Sequence, residues 1–249
     1  MKIAEPIRGW LEAALAFVYP PCCQLCGEER ASEAEGYVGA ACRRGPGAMR
    51  WVEPPYCARC GLPYEGAITA RFECANCRDM QLEFSSARAA VVATELVLEV
   101  VHRYKYKGER WFEPYLAELL VRRAAAVVRA EGWDLIVPVP LHALKQRERE
   151  FNQAERLAAH LSRAAGVPLN SRLLWRVKPT QTQTRLSRAE RAGNVRGAFA
   201  LRRGARLAGE RVVLVDDVMT TGATTSACAL ALRRGGASDV CVWTVARGV

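Results

Sequence analysis

The sequence of 249 residues lacks an apolar run long enough to cross a membrane. Its apolar N-terminal stretch, GWLEAALAFVYPP, is interrupted by Glu12 and has no small-residue cleavage site before Pro20 and Pro21. We therefore predict an amphipathic helix that ends at the prolines, and not a signal peptide. Because nothing indicates export, we expect a cytoplasmic protein whose ten cysteines are reduced thiols or metal ligands rather than disulfides.

Acidic residues are scarce in one part of the chain. The whole chain carries a net charge of +10, but residues 141–206 combine 15 basic with 4 acidic residues, a local charge of +11. Such a segment suits a polyanion, either a phosphorylated small molecule or a nucleic-acid backbone, or it forms a solvated basic surface. Residues 176–198 contain no aromatic residue, so contacts to phosphates are expected there rather than stacking on bases.

The distribution of cysteine divides the chain into two parts. Eight of the ten cysteines lie between Cys22 and Cys77, whereas Cys228 and Cys241 lie in apolar patterns typical of a core. From residue 84 onward, strand-like and helix-like runs alternate, which predicts an α/β fold with a parallel sheet and helices on both faces. We therefore predict an N-terminal helix and Cys-rich module over residues 1–82 and an α/β domain over residues 83–249.

Four cysteines have the spacing of a metal site: Cys57-x2-Cys60-x13-Cys74-x2-Cys77. Two CxxC pairs joined by a short hairpin can place four thiolates tetrahedrally around one ion, which predicts a structural Zn²⁺ site of the zinc-ribbon type. An iron–sulfur cluster is the alternative. Free surface thiols are disfavoured because exposed CxxC pairs oxidise readily.

The remaining cysteines form a less regular group. Cys23 and Cys26 make one CxxC pair, but Cys42 has no such partner, since glycines stand three residues before and after it. Cys22 could supply the fourth thiolate, although adjacent cysteine ligands strain the geometry. Two hypotheses follow: the group holds zinc through an irregular ligand, or it has lost its metal and persists through packing.

The stretch VVLVDDVMTTGATT, residues 212–225, predicts a ligand site. An aliphatic strand delivers Asp216 and Asp217 to the carboxyl edge of the sheet, where ligands of parallel α/β folds bind. Small residues follow at the start of a predicted helix, where backbone amides and the helix dipole favour an anion. We predict a sugar phosphate with its ribose hydroxyls on the two carboxylates and its phosphate on Thr220, Thr221, Gly222, Ala223 and Thr224.

This stretch resembles the 5-phosphoribosyl-1-pyrophosphate (PRPP) binding motif of type I phosphoribosyltransferases. A double zinc ribbon, HRYKYKG (102–108), VPVPLH (137–142), REREFNQAERLA (147–158) and TQTQTRLSRAERAGNVRGAF (180–199) precede it in that order. With these motifs the chain resembles the ComF family, phosphoribosyltransferase-like proteins linked to competence and DNA uptake in bacteria. It departs from the family in its incomplete first cysteine quartet, and in Glu150, where glycine is common.

The resemblance implies a chemistry. Mg²⁺ would bridge the ribose hydroxyls and pyrophosphate of PRPP, and the protein would position groups and stabilise charge as pyrophosphate leaves an oxocarbenium-like ribose. The loop on the pyrophosphate side would carry Pro140, Leu141, Arg147 and Arg149. A polar segment over residues 176–192 lies where such enzymes carry a mobile catalytic loop, and its predicted catalytic cations are Arg176, Lys178 and Arg191.

Two functions remain open from the sequence. One is a PRPP-dependent pentosyltransferase with an unidentified acceptor. The other is a competence factor whose ribbon and basic segment bind single-stranded DNA or a helicase, and whose PRPP fold serves as scaffold or ligand sensor. A complete amidophosphoribosyltransferase is not expected, because we find no glutaminase with an N-terminal cysteine nucleophile. Little sequence follows the last predicted strand to build a nucleobase pocket.

Overall fold

The computed structural model describes residues 21–45, 47–68, 70–78, 80–178, 195 and 197–249. The predicted N-terminal helix, Arg191 and most of the predicted 176–192 loop lie outside the described residues. Within the described residues no helix combines the length and the apolar character that a membrane span requires.

Six strands are described: β1 (Ser86–Val92), β2 (Leu135–Pro138), β3 (Leu174–Arg176), β4 (Phe199–Leu201), β5 (Arg211–Met219) and β6 (Asp239–Arg247). Four of them form a parallel sheet in the order β1-β6-β5-β2, with Val213 of β5 opposite Ile136 and Cys241. The central strands β5 and β6 are nearly continuous apolar runs because both of their faces are buried. Strands β3 and β4 form a separate antiparallel pair.

Seven α-helices lie in the described part of the chain: α1 (Ala40–Arg44), α2 (Ala75–Arg78), α3 (Glu95–Tyr106), α4 (Glu113–Ala130), α5 (Ala143–Arg149), α6 (Gln153–Ala165) and α7 (Ala223–Arg234). Side chains that accept amide hydrogen bonds fix several starts, as Thr94 does for α3 and Asn152 for α6. Gly166 ends α6 in a left-handed conformation, which glycine adopts without strain.

The helices cover both faces of the sheet. On one face α4 and α6 bury Leu120 and Leu157 against Val213 of β5. On the other face α7 buries Leu232 against Leu214. These two apolar clusters confirm the predicted fold class, a parallel α/β sheet between helices. Cys228 and Cys241 are buried within them, so the prediction that both are core residues is confirmed.

A buried polar network joins three helices beside the sheet. Glu113 at the start of α4 accepts hydrogen bonds from the Tyr104 hydroxyl at 3.0 Å and from Arg156 Nε, and its Oε1 lies 3.0 Å from His160 Nε2. Burial opposes ionisation of Glu113, but His160 and Arg156 outweigh it and hold its pKa at about 2. The network therefore fixes α3, α4 and α6 around an ionised carboxylate.

The Cys-rich module packs directly on the sheet. Residues 50–52 lie along the free edge of β1, where Val52 N–H donates to Ala90 O at 3.0 Å and Val92 N–H donates to Arg50 O at 2.7 Å. The ribbon thereby satisfies backbone groups of an edge strand that would otherwise be exposed. The division of the chain between residues 82 and 83 stays a prediction.

Candidate functional site

The second cysteine quartet has the geometry of a tetrahedral metal centre. The Sγ–Sγ distances are 3.8 Å for Cys57 and Cys77, 3.7 Å for Cys60 and Cys74, and 3.6 Å for Cys74 and Cys77. A tetrahedron of sulfurs at the usual Zn–S distance of about 2.3 Å has edges of about 3.8 Å. All four side chains are buried, so these residues fit a structural zinc ion.

Backbone amides favour the thiolate form of one cysteine in this quartet, which is the form that binds a metal. Cys60 N–H lies 3.5 Å and Cys74 N–H 3.3 Å from the Cys57 sulfur. Burial raises the pKa of Cys57, but these amides outweigh it and bring the pKa to about 7. Burial raises the pKa of Cys77 well above its usual value, and the negative charge of Cys60 adds to this effect. A bound cation offsets the repulsion among the four thiolates.

The first cysteine group is completed by an unpredicted carboxylate. Cys23, Cys26, Cys42 and Glu29 place one ligand atom each within 4.8 Å of one another, and the Sγ atoms of Cys23 and Cys42 are 3.7 Å apart. Cys22, the predicted alternative ligand, is not part of this group. Glu29 carries no motif signal, because an isolated carboxylate in a loop resembles any solvated acid.

Strand β5 places the two aspartates in different surroundings, because successive side chains of a strand point to opposite faces. Asp217 is buried, and its Oδ2 lies 2.7 Å from Nζ of Lys105 on α3. Asp216 lines a small cavity at the end of β5. Burial, followed by the negative charge of Asp217, raises the pKa of Asp216 to about 7. The two aspartates are therefore not equivalent, although the sequence had suggested that they are, and Lys105 is a partner that no motif indicated.

The predicted phosphate loop follows β5 and opens α7. Gly222 has a φ of 79°, in the left-handed region that favours glycine, and directly precedes the helix. Thr221 Oγ1 accepts from Ala223 N–H at 3.4 Å, and the Thr225 hydroxyl donates to Gly222 O at 3.0 Å. Residues 218–225 and Asp216 enclose a cavity of about 50 Å³, which has room for a small anionic group but not for a whole sugar phosphate.

One buried arginine connects this loop to the second ribbon, the zinc-ribbon segment that carries Cys57, Cys60, Cys74 and Cys77. The Arg247 guanidinium donates to Thr220 O at 2.7 Å and Met219 O at 3.2 Å, and its Nε donates to Cys60 O at 3.0 Å. Arg247 is 5% exposed. Arg247 has no signal in the sequence, because it is simply the last residue of an apolar strand. The loop and the metal centre therefore share one positioning residue.

The segment after β2 is held against the same sheet edge. Val139 N–H donates to Val215 O at 2.9 Å, and the Asn152 side chain donates to Val139 O at 3.1 Å. Pro140 is buried and Leu141 is half-buried. Two predicted pyrophosphate-side residues thus lie beside the carboxyl end of β5.

The predicted cations divide into those near Asp216 and those elsewhere. Arg176 on β3 is close enough to Asp216 that its positive charge lowers the pKa of that carboxyl against the larger effect of burial. Burial, followed by the charges of Arg149 and Arg176, lowers the pKa of Lys145 on α5. The structure therefore brings Arg149 and Arg176 together and adds Lys145, a cation of the basic segment with no predicted role of its own.

The remaining predicted cations are placed differently. Arg147 is exposed on α5. Lys178 lines a separate cleft with Phe199 and Ser226, not the cavity at Asp216. Arg191 lies outside the described residues. Roles for these three side chains stay predictions.

Glu150, the departure from the family pattern, has an unusual backbone. It follows α5 with a φ of 64° in the left-handed region. A side chain in this region costs about 1–2 kcal/mol, and glycine avoids the cost. The conformation explains why glycine suits this position.

Together, a parallel α/β sheet with Asp216 and a loop of small residues at its edge, preceded by two clusters of side chains that could hold a metal, defines a phosphoribosyltransferase-type domain joined to zinc ribbons. A family model described as "Double zinc ribbon domain" matches residues 14–80. The chain belongs to the ComF family of competence proteins, because it is more than 30% identical to members of that family over more than four fifths of their length.

Relatives cover most of the chain. It is 34% identical over 197 residues to "Competence protein F" of Haemophilus influenzae, covering 78% of this chain and 85% of that protein. It is 31% identical over 233 residues to "DNA utilization protein YhgH" of Escherichia coli, covering 92% and 97%. It is 27% identical over 202 residues to "Competence protein ComFC" of Bacillus subtilis, covering 77% of each.

Solved structures are similar only in part. The glutamine PRPP amidotransferase from B. subtilis is 25% identical, with 52% of this chain and 25% of that chain covered and a TM-score of 0.34. The purine phosphoribosyltransferase from Pyrococcus horikoshii is 17% identical, with 53% and 83% covered and a TM-score of 0.34. These TM-scores carry no weight in the assignment, which rests on the relatives and the site.

Proposed function

We propose that this protein binds PRPP, or a related ribose phosphate, at the carboxyl end of β5. The observation that carries the proposal is the cavity formed by Asp216 and the loop of residues 218–225. Amides in the first turn of α7 and the threonine hydroxyls would hold the phosphate. Asp216, rather than Asp217, would face the ribose hydroxyls, because Asp217 is paired with Lys105.

The cations near Asp216 are suited to bind the pyrophosphate group of the ligand. Arg176 lies near the Asp216 carboxylate, and the charges of Arg149 and Lys145 lie near Arg176. Mg²⁺ prefers oxygen ligands and phosphates, and when bound it would bridge the ribose hydroxyls and the pyrophosphate and offset their charge. The protein's residues would then orient the ribose and stabilise the pyrophosphate, which is the arrangement that pentosyl transfer to an acceptor requires.

Calorimetry tests the binding proposal. The wild-type protein should bind PRPP with Mg²⁺ and lose this binding when Mg²⁺ is omitted. Asp216→Asn keeps the shape of the side chain and removes its charge, so we expect at least tenfold weaker binding. Asp239→Asn, on the neighbouring strand at the opposite end of the sheet, is the matched control and should bind normally. Equal binding by wild type and Asp216→Asn would refute the site. Pyrophosphate release then tests for transfer.

A second candidate function is contact with single-stranded DNA, or with a helicase that acts on it. The printed names of the relatives concern competence and DNA utilization, and residues 141–206 carry the local charge of +11. An exposed aromatic residue directly precedes residues 176–198, the segment without aromatics. Trp175 is 42% exposed, and the Arg202 guanidinium lies 4.9 Å from its ring centre. Exposed aromatics next to cations suit single strands.

Salt dependence tests this second candidate. Phosphate contacts should give a slope of log affinity against log salt of about −0.7 per neutralised phosphate. Trp175→Ala should weaken binding without changing the slope, whereas replacing Arg185, Arg188 and Arg191 together should reduce both. A salt-insensitive interaction confined to residues 1–80 would move the nucleic-acid role to the ribbons. With either function we propose a cytoplasmic protein, since its thiols need a reducing compartment.

A further inference from the structure

The two ribbons repeat one backbone pattern. Gly27 N–H donates to Cys23 O at 2.8 Å, and Gly61 N–H donates to Cys57 O at 2.9 Å. Both glycines are left-handed, with φ of 74° and 65°. Cys23 and Cys57 therefore begin equivalent turns, each with a second cysteine three residues later.

The pattern continues at the third ligand position, where the first ribbon has a glycine. Cys74 N–H lies 3.3 Å from the Cys57 sulfur, and Gly39 N–H lies 3.2 Å from the Cys23 sulfur. One short helix follows in each case, α2 after Cys74 and α1 after Gly39. Gly39 thus occupies the position of the third cysteine, and Cys42 corresponds to Cys77.

Glu29 fills the space that the missing side chain leaves. A Cβ atom placed on Gly39 would lie 2.1 Å from both Cδ and Oε1 of Glu29. The carboxylate is fixed there, since its oxygens accept from Ala41 N–H at 2.9 Å and Cys42 N–H at 3.1 Å. An ionised carboxylate has about four acceptor positions, so these two bonds leave capacity for a metal ion.

We propose that the first ribbon holds a second Zn²⁺ through the thiolates of Cys23, Cys26 and Cys42 and the carboxylate of Glu29. Because Gly39 has no side chain, the Glu29 carboxylate can occupy the space of the third cysteine ligand. The Cys23–Cys42 sulfur separation of 3.7 Å matches the separations in the second ribbon. Zinc also takes carboxylate oxygens as ligands, at about 2.0–2.2 Å. The site is independent of ribose phosphate binding.

Elemental analysis of the full-length protein tests the proposal. Wild type should contain two zinc ions per chain, and Glu29→Gln should contain one, because the amide keeps the shape but not the charge of the ligand. Cys22→Ser is the matched control and should retain two. The double variant Glu29→Ala with Gly39→Cys should regain two, since it restores a four-cysteine site.

Cobalt substitution gives a second readout, which counts the thiolate ligands instead of the zinc ions. In wild type loaded with two Co²⁺ ions, the thiolate-to-metal charge-transfer absorption should correspond to seven thiolates per chain, and in the double variant to eight. One zinc per chain in wild type, two in Glu29→Gln, or one in Cys22→Ser would overturn the proposal. Circular dichroism confirms that each variant is folded before its metal is counted.

Discussion

Arg247 offers the sharpest test of how the ribbon and the ligand loop depend on each other. We consider Arg247→Met, which keeps the length of the side chain and removes its donors. Four carbonyls lose a donor: Cys60 O, Met219 O, Thr220 O and Gly248 O, although Met219 O still accepts from Gly248 N–H. Hydrogen bonds to a charged group contribute about 1.5–3 kcal/mol each, but such losses are not additive.

From these contacts we expect Arg247→Met to lower the free energy of unfolding by about 3–5 kcal/mol. Without the arginine, Thr220 is no longer fixed relative to the sheet, so the loop must be ordered again when the ligand binds. PRPP affinity should therefore fall at least tenfold, which corresponds to about 1.4 kcal/mol. Urea unfolding followed by tryptophan fluorescence and calorimetry with PRPP measure the two effects.

The control is Arg233→Met, which removes an exposed arginine from the end of α7. It should change the unfolding free energy by less than about 0.5 kcal/mol and leave PRPP affinity unchanged. If Arg247→Met were as stable as this control and bound PRPP normally, the coupling between ribbon and loop would be wrong. If Arg247→Met lost much stability but bound PRPP with normal affinity, only the role of Arg247 in positioning the loop would be refuted.

Three further predictions follow from individual residues. Glu150→Gly should raise the free energy of unfolding by about 1 kcal/mol in urea titrations, because glycine adopts the left-handed conformation without strain. Glu113 has a pKa of about 2 when folded against an ordinary value of 4.5, so it stabilises the fold above pH 4.5. About 3 kcal/mol should be lost as pH falls from 4.5 to about 2, and Glu113→Gln should lack this dependence. Asp216 has a pKa of about 7 and should bind ribose hydroxyls only when ionised. PRPP affinity should therefore rise about tenfold from pH 6 to pH 8, beyond any rise that Asp216→Asn shows from titration of the ligand itself.

Periodicity and composition predicted the sheet more fully than the site. The alternation of strands and helices after residue 84 was predicted, because aliphatic runs and helical spacing are local properties of the sequence. Strands β3 and β4 were not predicted. They are three residues long, and their pairing depends on contacts distant in sequence.

The metal quartet was predictable because spacing alone brings paired cysteines together. Glu29, Lys105 and Arg247 were not, since each acts on a partner from another part of the chain and has no spacing of its own. The different surroundings of Asp216 and Asp217 follow from strand alternation. That signal was present in the sequence once β5 was assigned.

The pairing of residues 50–52 with β1 has a practical consequence for work on the separate halves of this protein. A chain shortened to the α/β part would expose the backbone of Ser86–Val92 along its whole outer side. An unprotected, mostly apolar strand of this kind recruits a second copy of itself, so such a fragment should dimerise or precipitate even when it is correctly folded. A fragment that begins before residue 50 would carry its own protection, and self-association of the shorter piece would reveal nothing about the native protein's assembly.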